Sequence, residues 1–332
     1  MTPDSSKITI EDNLNKIRQF IDEIIVYPKQ RLHQWATITA QSPAAKIGYI
    51  GQHLASLITG VRGTRTGARG DDLADGSEVK SCNKIDQVDT CKDCGNRVMR
   101  FEDKCPFCGS IKINRKEDSK WLFSVRDEQE LNQYLEMDRI VLLLMDYPNF
   151  DSGDFKDIRI STFEIYPNEE RMSVFRELIS NHFYNIYMPK LDANEKTNPM
   201  NLHPLSFQFY KCNPILTFSC IIKNIETDPE ILIDEDKYIR PDVVRDSSLQ
   251  TIPMPSDLLM PKKNEWQALL DAADFDSEIR PLLKYDLTKE QFASLNDKLK
   301  VKALPYLDEK LRNYIPLRDI ISVRQANHYQ RR

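Results

Sequence analysis

The stretch GDDLADGSEVKSC, residues 70–82, brings three aspartates, a glutamate and a lysine close together. Carboxylates this close repel one another, and solvent, neighbouring arginines or a bound metal ion must supply positive charge between them. The alternation in SEVKS predicts a strand on which Glu78 and Lys80 share one face while Val79 points to the core. A carboxylate and an ammonium on one strand face can bind a divalent cation and orient an attacking water.

A second carboxylate is expected from the adjoining strand, across the turn ADGS. The alternation that sends Leu73 to the core puts Asp72 on the side of Glu78, and Asp71 and Asp75 remain alternatives. Hard oxygen ligands next to a phosphate-binding surface favour Mg²⁺ or Mn²⁺. The simpler interpretation is a solvated acidic turn, because a Glu-x-Lys triplet on its own is common.

Four of the seven cysteines form two Cys-x-x-Cys pairs that are ten residues apart, and a glycine follows each pair: Cys91, Cys94, Cys105 and Cys108. Two such turns place four thiolates around a zinc ion at about 2.3 Å. Because the protein fills all four positions, the zinc is expected to be structural. A dithiol redox centre would need one pair rather than two.

Basic residues suggest where nucleic acid would be contacted. The net charge is −5, yet residues 60–126 hold fourteen Lys and Arg against eleven Asp and Glu, so any such contact must be local. Half of the ten glycines lie between Gly60 and Gly76, interleaved with arginines that can present guanidinium forks to phosphate. The predicted DNA-contacting residues are Arg62, Arg65 and Arg69 in this segment, and Arg97 and Arg100 beside the cysteines. The alternative is a solvated loop and a solvated basic face.

Hydrophobic periodicity places these motifs on elements. It predicts a helix over residues 10–26, with Tyr27-Pro28 following, and a second helix in AAKIGYIGQHLASLITG. Gln52 and His53 on the second helix are candidates for approach to a DNA phosphate, and the alternative is a polar helix face. Strand patterns occur in WLFSVRD, RIVLLLMDYP and FKDIRISTFEIYP, and strand-like character returns in SFQFYKCNPILTFSCIIK. Strands alternate with helices around one buried apolar strand, so the expected fold is a mixed α/β sheet with helices on its faces.

An aspartate followed by Glu-x-Lys on neighbouring strands resembles the PD-(D/E)XK nuclease superfamily. Residues 70–81 resemble the compact form of this motif in type II restriction endonucleases and in the mismatch-repair nicking enzyme MutH. The wider pattern, GARGDDLADGSEVKSC followed by the four cysteines and DSKWLFSVRDEQEL, resembles the MamI-type restriction endonucleases. The proline of the superfamily name is absent here, and a zinc ribbon is not a general feature of the superfamily.

The resemblance implies a PD-(D/E)XK core sheet flanked by helices, with Asp72 or Asp71 and Glu78 holding Mg²⁺ and Lys80 orienting or activating the water. We expect a nuclease domain over residues 1–240 with the zinc ribbon inserted at 88–113. A mainly helical carboxyl-terminal region, residues 241–332, is a further candidate for DNA contact.

The expected function is that of a type II restriction endonuclease in a restriction-modification system. It would act as a homodimer that makes Mg²⁺-dependent cuts in double-stranded DNA at a specific sequence, leaving 5′ phosphates. The alternatives are a MutH-like nicking or repair endonuclease and a non-catalytic zinc-ribbon DNA-binding module. The longest apolar run, IVLLLM, is too short to cross a bilayer, and no signal peptide is evident, so a cytoplasmic protein of a bacterium or archaeon with no membrane partner is expected.

Overall fold

A computed structural model describes residues 1–65, 71–261 and 264–318. The predicted DNA contact at Arg69 and the chain after Arg318 therefore lie outside the described residues. Within the described ranges, no helix is both long enough and apolar enough to cross a membrane.

The fold is mixed α/β, as the alternation of elements predicts. The α-helices of the described residues are α1 (Asn13–Phe20), α2 (Tyr27–Thr39), α3 (Gly48–Thr59), α4 (Glu128–Leu135), α5 (Val174–His182), α6 (Met188–Asp192), α7 (Phe207–Lys211), α8 (Glu265–Ala272), α9 (Lys289–Ser294), α10 (Asp297–Ala303) and α11 (Glu309–Asn313). The strands are β1 (Glu78–Asn83), β2 (Asp89–Cys91), β3 (Arg97–Val98), β4 (Ile113–Asn114), β5 (Trp121–Phe123), β6 (Ile140–Asp146), β7 (Ile158–Ile165), β8 (Met200–Leu202), β9 (Ile215–Lys223), β10 (Glu230–Ile233), β11 (Met254–Pro255) and β12 (Tyr306–Leu307).

The central sheet has five strands in the order β1-β6-β7-β9-β10. Strand β6 pairs in parallel with β1 and antiparallel with β7, and β9 pairs antiparallel with β10. All seven residues of β6 are buried, which explains why its sequence is an unbroken apolar run rather than an alternating one. The predicted strands at SEVKS, RIVLLLMDYP and FKDIRISTFEIYP are confirmed.

Two compact units share the chain, and each is discontinuous. The first combines Met1–Leu122, Met137–Tyr166 and Leu216–Ser248, and it contains the acidic turn and the four cysteines. The second combines Phe123–Glu136, Pro167–Ile215 and Leu249–Arg332. The predicted domain boundary at residue 240 stays a prediction. Each compact unit includes segments on both sides of that position.

Two local predictions differ from the structure. Helical turns continue past Tyr27-Pro28 to Thr39, so the proline does not end the helix as predicted. A π-helical stretch, Ile21–Val26, joins α1 to α2. The strand predicted across SFQFYKCNPILTFSCIIK begins only at Ile215. Its first half is α7, whose amino end is capped by Ser206 accepting from Phe209 N at 3.4 Å.

Candidate active site and metal centre

The acidic cluster lies at the start of β1, where a tight turn leads into the central sheet. The backbone N–H groups of Asp72 and Leu73 both donate to Ser77 O at 3.1 Å, which closes the turn. Leu73 also bridges to Gly63. Leu73 and Val79 are buried in the same hydrophobic cluster, as predicted for these two core positions. The predicted adjoining strand is wrong, because residues 71–77 form a turn in which Leu73 makes only an isolated bridge.

Both carboxylate oxygens of Asp72 are hydrogen-bonded. Oδ2 accepts from Val79 N at 2.8 Å, and Oδ1 accepts from Gln52 Nε2 on α3 at 2.5 Å. Burial raises the pKa of Asp72 above its usual value, although the Val79 amide and the Lys80 ammonium oppose the shift. The site therefore favours the neutral form of the Asp72 carboxyl group over the ionised form. Carboxylates that bind a metal ion commonly show such a raised pKa when the ion is absent.

Glu78 and Lys80 form an ion pair on the outer face of β1, as their two-residue spacing predicts. Burial raises the pKa of Glu78; Lys80 opposes this shift, and the charges of Asp72 and Asp71 add to it. Three acids thus act on one another electrostatically beside a single ammonium group. The uncompensated negative charge suits a divalent cation.

Helix α3 positions Gln52 by approaching β1 very closely. A Cβ atom added to Gly51 would lie 1.8 Å from Ser81 Oγ and 2.8 Å from Ser81 Cβ, so only glycine allows this approach. Gln52 follows Gly51 in the helix and reaches across to Asp72. The contact between Gly51 and Ser81 therefore sets the distance between the helix and the acidic turn.

The third aspartate in the turn, Asp75, has a different environment. Its carboxylate forms an ion pair with Arg139 and accepts from Ser77 N at 3.2 Å. Arg139 also donates from Nε to Ser77 Oγ at 2.8 Å and pairs with the buried Glu164 at 3.4 Å. Asp75 thus fixes the base of the turn, and both of its oxygens have protein partners. Asp72 also has partners on both oxygens, but they are neutral groups, whereas the charge of Asp75 is already paired with Arg139, and this ion pair disfavours Asp75 among the three alternatives for a metal ligand.

Arg139 and Glu164 belong to a buried charged group that sequence reasoning missed. Arg245 joins it, donating from Nε to Glu164 at 3.2 Å. Although burial opposes the shift, Arg139 and Arg245 lower the pKa of Glu164. The available signal was a charged residue inside an apolar strand, the glutamate of ISTFEI, because buried charges require partners.

Four thiol sulfurs converge in the candidate zinc site. Cys91 Sγ lies 3.6 Å from Cys108 Sγ, and Cys94 Sγ lies 3.5 Å from Cys105 Sγ. A tetrahedron of sulfurs around zinc has edges of about 3.8 Å, so the four side chains fit the ion. The Asn96 backbone N–H lowers the pKa of the Cys94 thiol, whereas the neighbouring thiols outweigh the Ser110 backbone N–H and raise the pKa of the Cys108 thiol. Thiols this close cannot all ionise without a cation, and zinc supplies that charge.

Among the residues that the structure describes, these four cysteines form the one group of three or more Cys, His, Asp or Glu whose ligand atoms all lie within 4.8 Å of one another. The acidic turn does not reach that threshold. Two of its members have protein partners: Asp72 accepts from Gln52 and Val79, and Glu78 pairs with Lys80. A cation there would be held by two carboxylates rather than three.

Strands β2, β3 and β4 form the sheet of the cysteine ribbon. Each pair of cysteines is closed by a backbone hydrogen bond from the glycine that follows it: Gly95 N donates to Cys91 O at 3.0 Å, and Gly109 N donates to Cys105 O at 2.9 Å. Both glycines have φ of +73°, a left-handed conformation that disfavours other residues. The sequence assigned these two glycines to the tight turns, and the structure agrees.

One predicted DNA contact is contradicted at the base of the ribbon. Arg100 is only 3% exposed, and its guanidinium pairs with the fully buried Asp89 at 3.0 Å. The guanidinium also lies over the rings of Phe150 and Phe155, 5.2 and 5.0 Å from their centroids. A buried carboxylate requires a cation, so Arg100 joins the ribbon to the core and is not accessible to DNA. Arg62, Arg65 and Arg97 are exposed.

Comparison with known proteins identifies the chain. The profile described as MamI restriction endonuclease matches residues 34–257, about two thirds of the chain. The chain belongs to the MamI restriction endonuclease family. The family match includes α3, the acidic turn and all four cysteines, so the candidate active site and the metal centre both lie within the region that defines the MamI family.

One curated relative in the MamI family is the type II restriction enzyme MamI of Microbacterium ammoniaphilum. It is 38% identical over 82 residues, which is 25% of this chain and 27% of the relative. The alignment therefore spans about a quarter of either protein. No solved structure matches the chain.

Proposed function

We propose that this protein is a Mg²⁺-dependent type II restriction endonuclease that cuts double-stranded DNA at a specific sequence. The observation that carries the proposal is the pairing, at the start of β1, of two partly buried carboxylates with one lysine in a chain of the MamI restriction endonuclease family. The alternation of Leu73 and Val79 in the core supports the assignment of Asp72 and Glu78 to the outer face.

We assign the PD-(D/E)XK fold to the first compact unit. Its support is a mixed sheet in which β1 carries Glu78 and Lys80, pairs in parallel with the buried β6 and is covered by α3.

Asp72 and Glu78 would hold the Mg²⁺, and Asp71 is the alternative to Asp72. When bound, Mg²⁺ would neutralise negative charge on the phosphodiester and lower the pKa of water. Gln52 orients Asp72 through its hydrogen bond to Oδ1. Lys80 orients or activates the attacking water. Water adds to phosphorus in line with O3′, the P–O3′ bond breaks, and the 3′ oxygen takes a proton, which leaves a 5′ phosphate.

The proposed partner is double-stranded DNA, approached by the exposed Arg62, Arg65 and Arg97, with Arg69 as a further candidate. We propose a structural zinc ion in the cysteine ribbon, separate from the catalytic Mg²⁺. A homodimer would match two active sites to a two-fold DNA target.

Supercoiled plasmid incubated with the protein and Mg²⁺ tests the proposal. Discrete linear fragments whose ends carry 5′ phosphates are the expected products. Open circles that never become linear would instead support a nicking enzyme. Plasmid DNA that the protein binds but never cuts would support a zinc-ribbon DNA-binding module and contradict the proposal.

A further inference from the structure

The cysteine ribbon exposes two large apolar side chains that its own packing does not use. Phe107, within the second Cys-x-x-Cys turn, is 69% exposed, and Ile111, just after this turn, is 80% exposed. The small core of the ribbon, built around Val98, includes neither of them. We define the ribbon tip as these two side chains together with the exposed Lys104 and Lys112. Exposed apolar groups with a polar surround are typical of a surface that binds a partner.

Hydrogen bonds between the two Cys-x-x-Cys turns fix the ribbon tip. Ser110 Oγ donates to Asp93 Oδ2 at 2.7 Å. Lys92 N donates to Lys112 O at 2.8 Å. An aromatic side chain on a backbone that is already ordered loses little conformational entropy on binding, so Phe107 is well placed to act as a contact residue.

The charge around the ribbon tip selects an anionic partner. Between residues 92 and 112, exposed bases outnumber exposed acids; the bases are Lys92, Arg97, Lys104 and Lys112, and the acids are Asp93 and Asp103. Lys112 lies 3.6 Å from Asp93 and offsets its charge. Zinc with four thiolates carries a formal charge of −2, but Lys and Arg side chains extend beyond the sulfurs and reach an approaching polyanion first. Cations beside apolar side chains match DNA, which offers phosphates and bases together.

The ribbon lies at the other end of β6 from the acidic turn. Glu78 is in register with Ile140, the first residue of β6, whereas Arg100 at the base of the ribbon lies over the ring of Tyr147, just after the last residue of β6. The strand between these two positions spans about 23 Å. Since phosphates on one strand of DNA follow one another at about 3.4 Å along the axis, DNA lying along the sheet would meet the ribbon roughly seven base pairs from the phosphate at the acidic turn.

We propose that the ribbon tip binds double-stranded DNA outside the base pairs at the acidic turn, with Phe107 and Ile111 against the bases and the surrounding Lys and Arg on the phosphates. Phe and Ile are among the residues that proteins insert at base steps. This inference deepens the proposed function and rests on it for the identity of the partner. It is argued from exposure and charge rather than from the carboxylates, so DNA binding and DNA cleavage can fail separately.

Fluorescence anisotropy of the full chain with a mixed-sequence duplex of about 40 base pairs, in buffer without Mg²⁺ or chelator, tests the contact. Because stacking on bases tolerates any sequence, Phe107→Ala should weaken binding by about tenfold. Trp35→Ala is the matched control, because Trp35 is a 61% exposed aromatic residue on α2 of the same unit, and it should bind like the wild type. Native mass spectrometry checks that each variant retains its zinc. Binding by zinc-loaded Phe107→Ala within about twofold of the wild type would overturn the proposal.

A second variant tests the phosphate contacts without changing an apolar side chain. Lys104→Ala should reduce the slope of log affinity against log salt concentration by about 0.9, the value for one lost phosphate contact. The same anisotropy assay across a salt series measures the slope. An unchanged slope would show that the ribbon tip does not face phosphates, and the proposal would fail.

Plasmid cleavage with Mg²⁺ separates this inference from the proposed function. Phe107→Ala should cut slowly at low protein concentration and reach the rate of the wild type at saturation, since the ribbon tip contributes to binding and not to chemistry. A rate at saturation that stays at least about tenfold below that of the wild type would overturn this role. A wild-type protein that binds the duplex through Phe107 and never cuts DNA would support the ribbon contact and remove the proposed function.

Discussion

Glu78 and Asp72 are partly buried beside one lysine. This burial lowers the free energy of unfolding of the protein when no Mg²⁺ is bound. Burial raises the pKa of each acid above its usual value. A raised pKa means that the folded state binds a proton more tightly than the unfolded state. The stabilising proton is present at acidic pH and is lost as the pH rises through the raised pKa. At neutral pH both ionised acids therefore oppose folding unless a cation joins them.

Replacement of Glu78 by glutamine should therefore stabilise the Mg²⁺-free protein at pH 7. The amide resembles the protonated acid that the site favours, so the melting temperature should rise relative to the wild type. The gain should shrink as the pH falls through the raised pKa of Glu78 and disappear below the usual pKa of glutamate, where Glu78 is protonated in both states. Thermal melts across this pH range, in buffer without chelator so that zinc is retained, give the comparison. A Glu78→Gln variant that melts below the wild type at neutral pH would show that the ion pair with Lys80 outweighs burial.

Asp72 and Asp75 should separate into catalytic and structural roles. Asp75→Asn weakens the ion pair with Arg139 beneath the turn, and we expect it to lower the free energy of unfolding by about 1–3 kcal/mol. Asp72→Asn should abolish Mg²⁺-dependent cleavage while destabilising the protein less. Urea unfolding and plasmid cleavage of both variants test this assignment. Loss of cleavage in a stably folded Asp75→Asn, with cleavage intact in Asp72→Asn, would reverse the assignment.

At the scale of elements, the contact of α3 with β1 depends on a single glycine. A methyl group at Gly51 would overlap Ser81, including its Cβ atom, so the helix must move away from the strand. Gly51→Ala should lower the free energy of unfolding by about 1–3 kcal/mol and slow cleavage, because Gln52 moves with the helix. Gly48→Ala in the same helix meets nothing within 4 Å and should change stability by no more than about 1 kcal/mol. Equal effects of the two substitutions on melting and on cleavage would show that the close approach is unimportant.

The cysteine ribbon should contain one zinc ion per chain. Its small core, Cys91, Val98 and Cys105 with Ile113 against it, is too small to fold without the metal. Cys105→Ser should remove the zinc and, through Asp89 and Arg100, lower the melting temperature of the unit that holds the acidic turn. Native mass spectrometry counts the zinc, and Cys82→Ala serves as the control, because Cys82 lies outside the cluster. Full zinc occupancy in Cys105→Ser would contradict the assignment.

The sequence predicted the elements whose patterns are local and missed the arrangements that depend on partners far apart in the chain. The apolar run of β6, the alternation at β1 and the two Cys-x-x-Cys turns each carry their own signal. The burial of Arg100 does not, because its partner is Asp89 on β2 and the rings that enclose it come from residues 147–155. The role of Arg139 was equally hidden, since it needs Asp75 and Glu164 at once.

At the scale of the whole molecule, the proposed chemistry lies entirely in the first compact unit. Asp72, Glu78, Lys80 and Gln52 all come from Met1–Leu122, and the charged group that supports the turn comes from the other segments of the same unit. The second unit contributes no residue to the proposed metal site. Its role in contacting DNA stays a prediction made for the mainly helical carboxyl-terminal region, residues 241–332.

The most direct test of the central claim is the rate of Mg²⁺-dependent plasmid cleavage by Glu78→Gln, measured beside the wild type and Glu195→Gln, an exposed control. If Asp72 and Glu78 hold the catalytic cation, Glu78→Gln should lose at least about a thousandfold in rate while it stays folded and retains its zinc, and Glu195→Gln should cut like the wild type. Cleavage by Glu78→Gln within about tenfold of the wild type would contradict the claim and place the active site elsewhere.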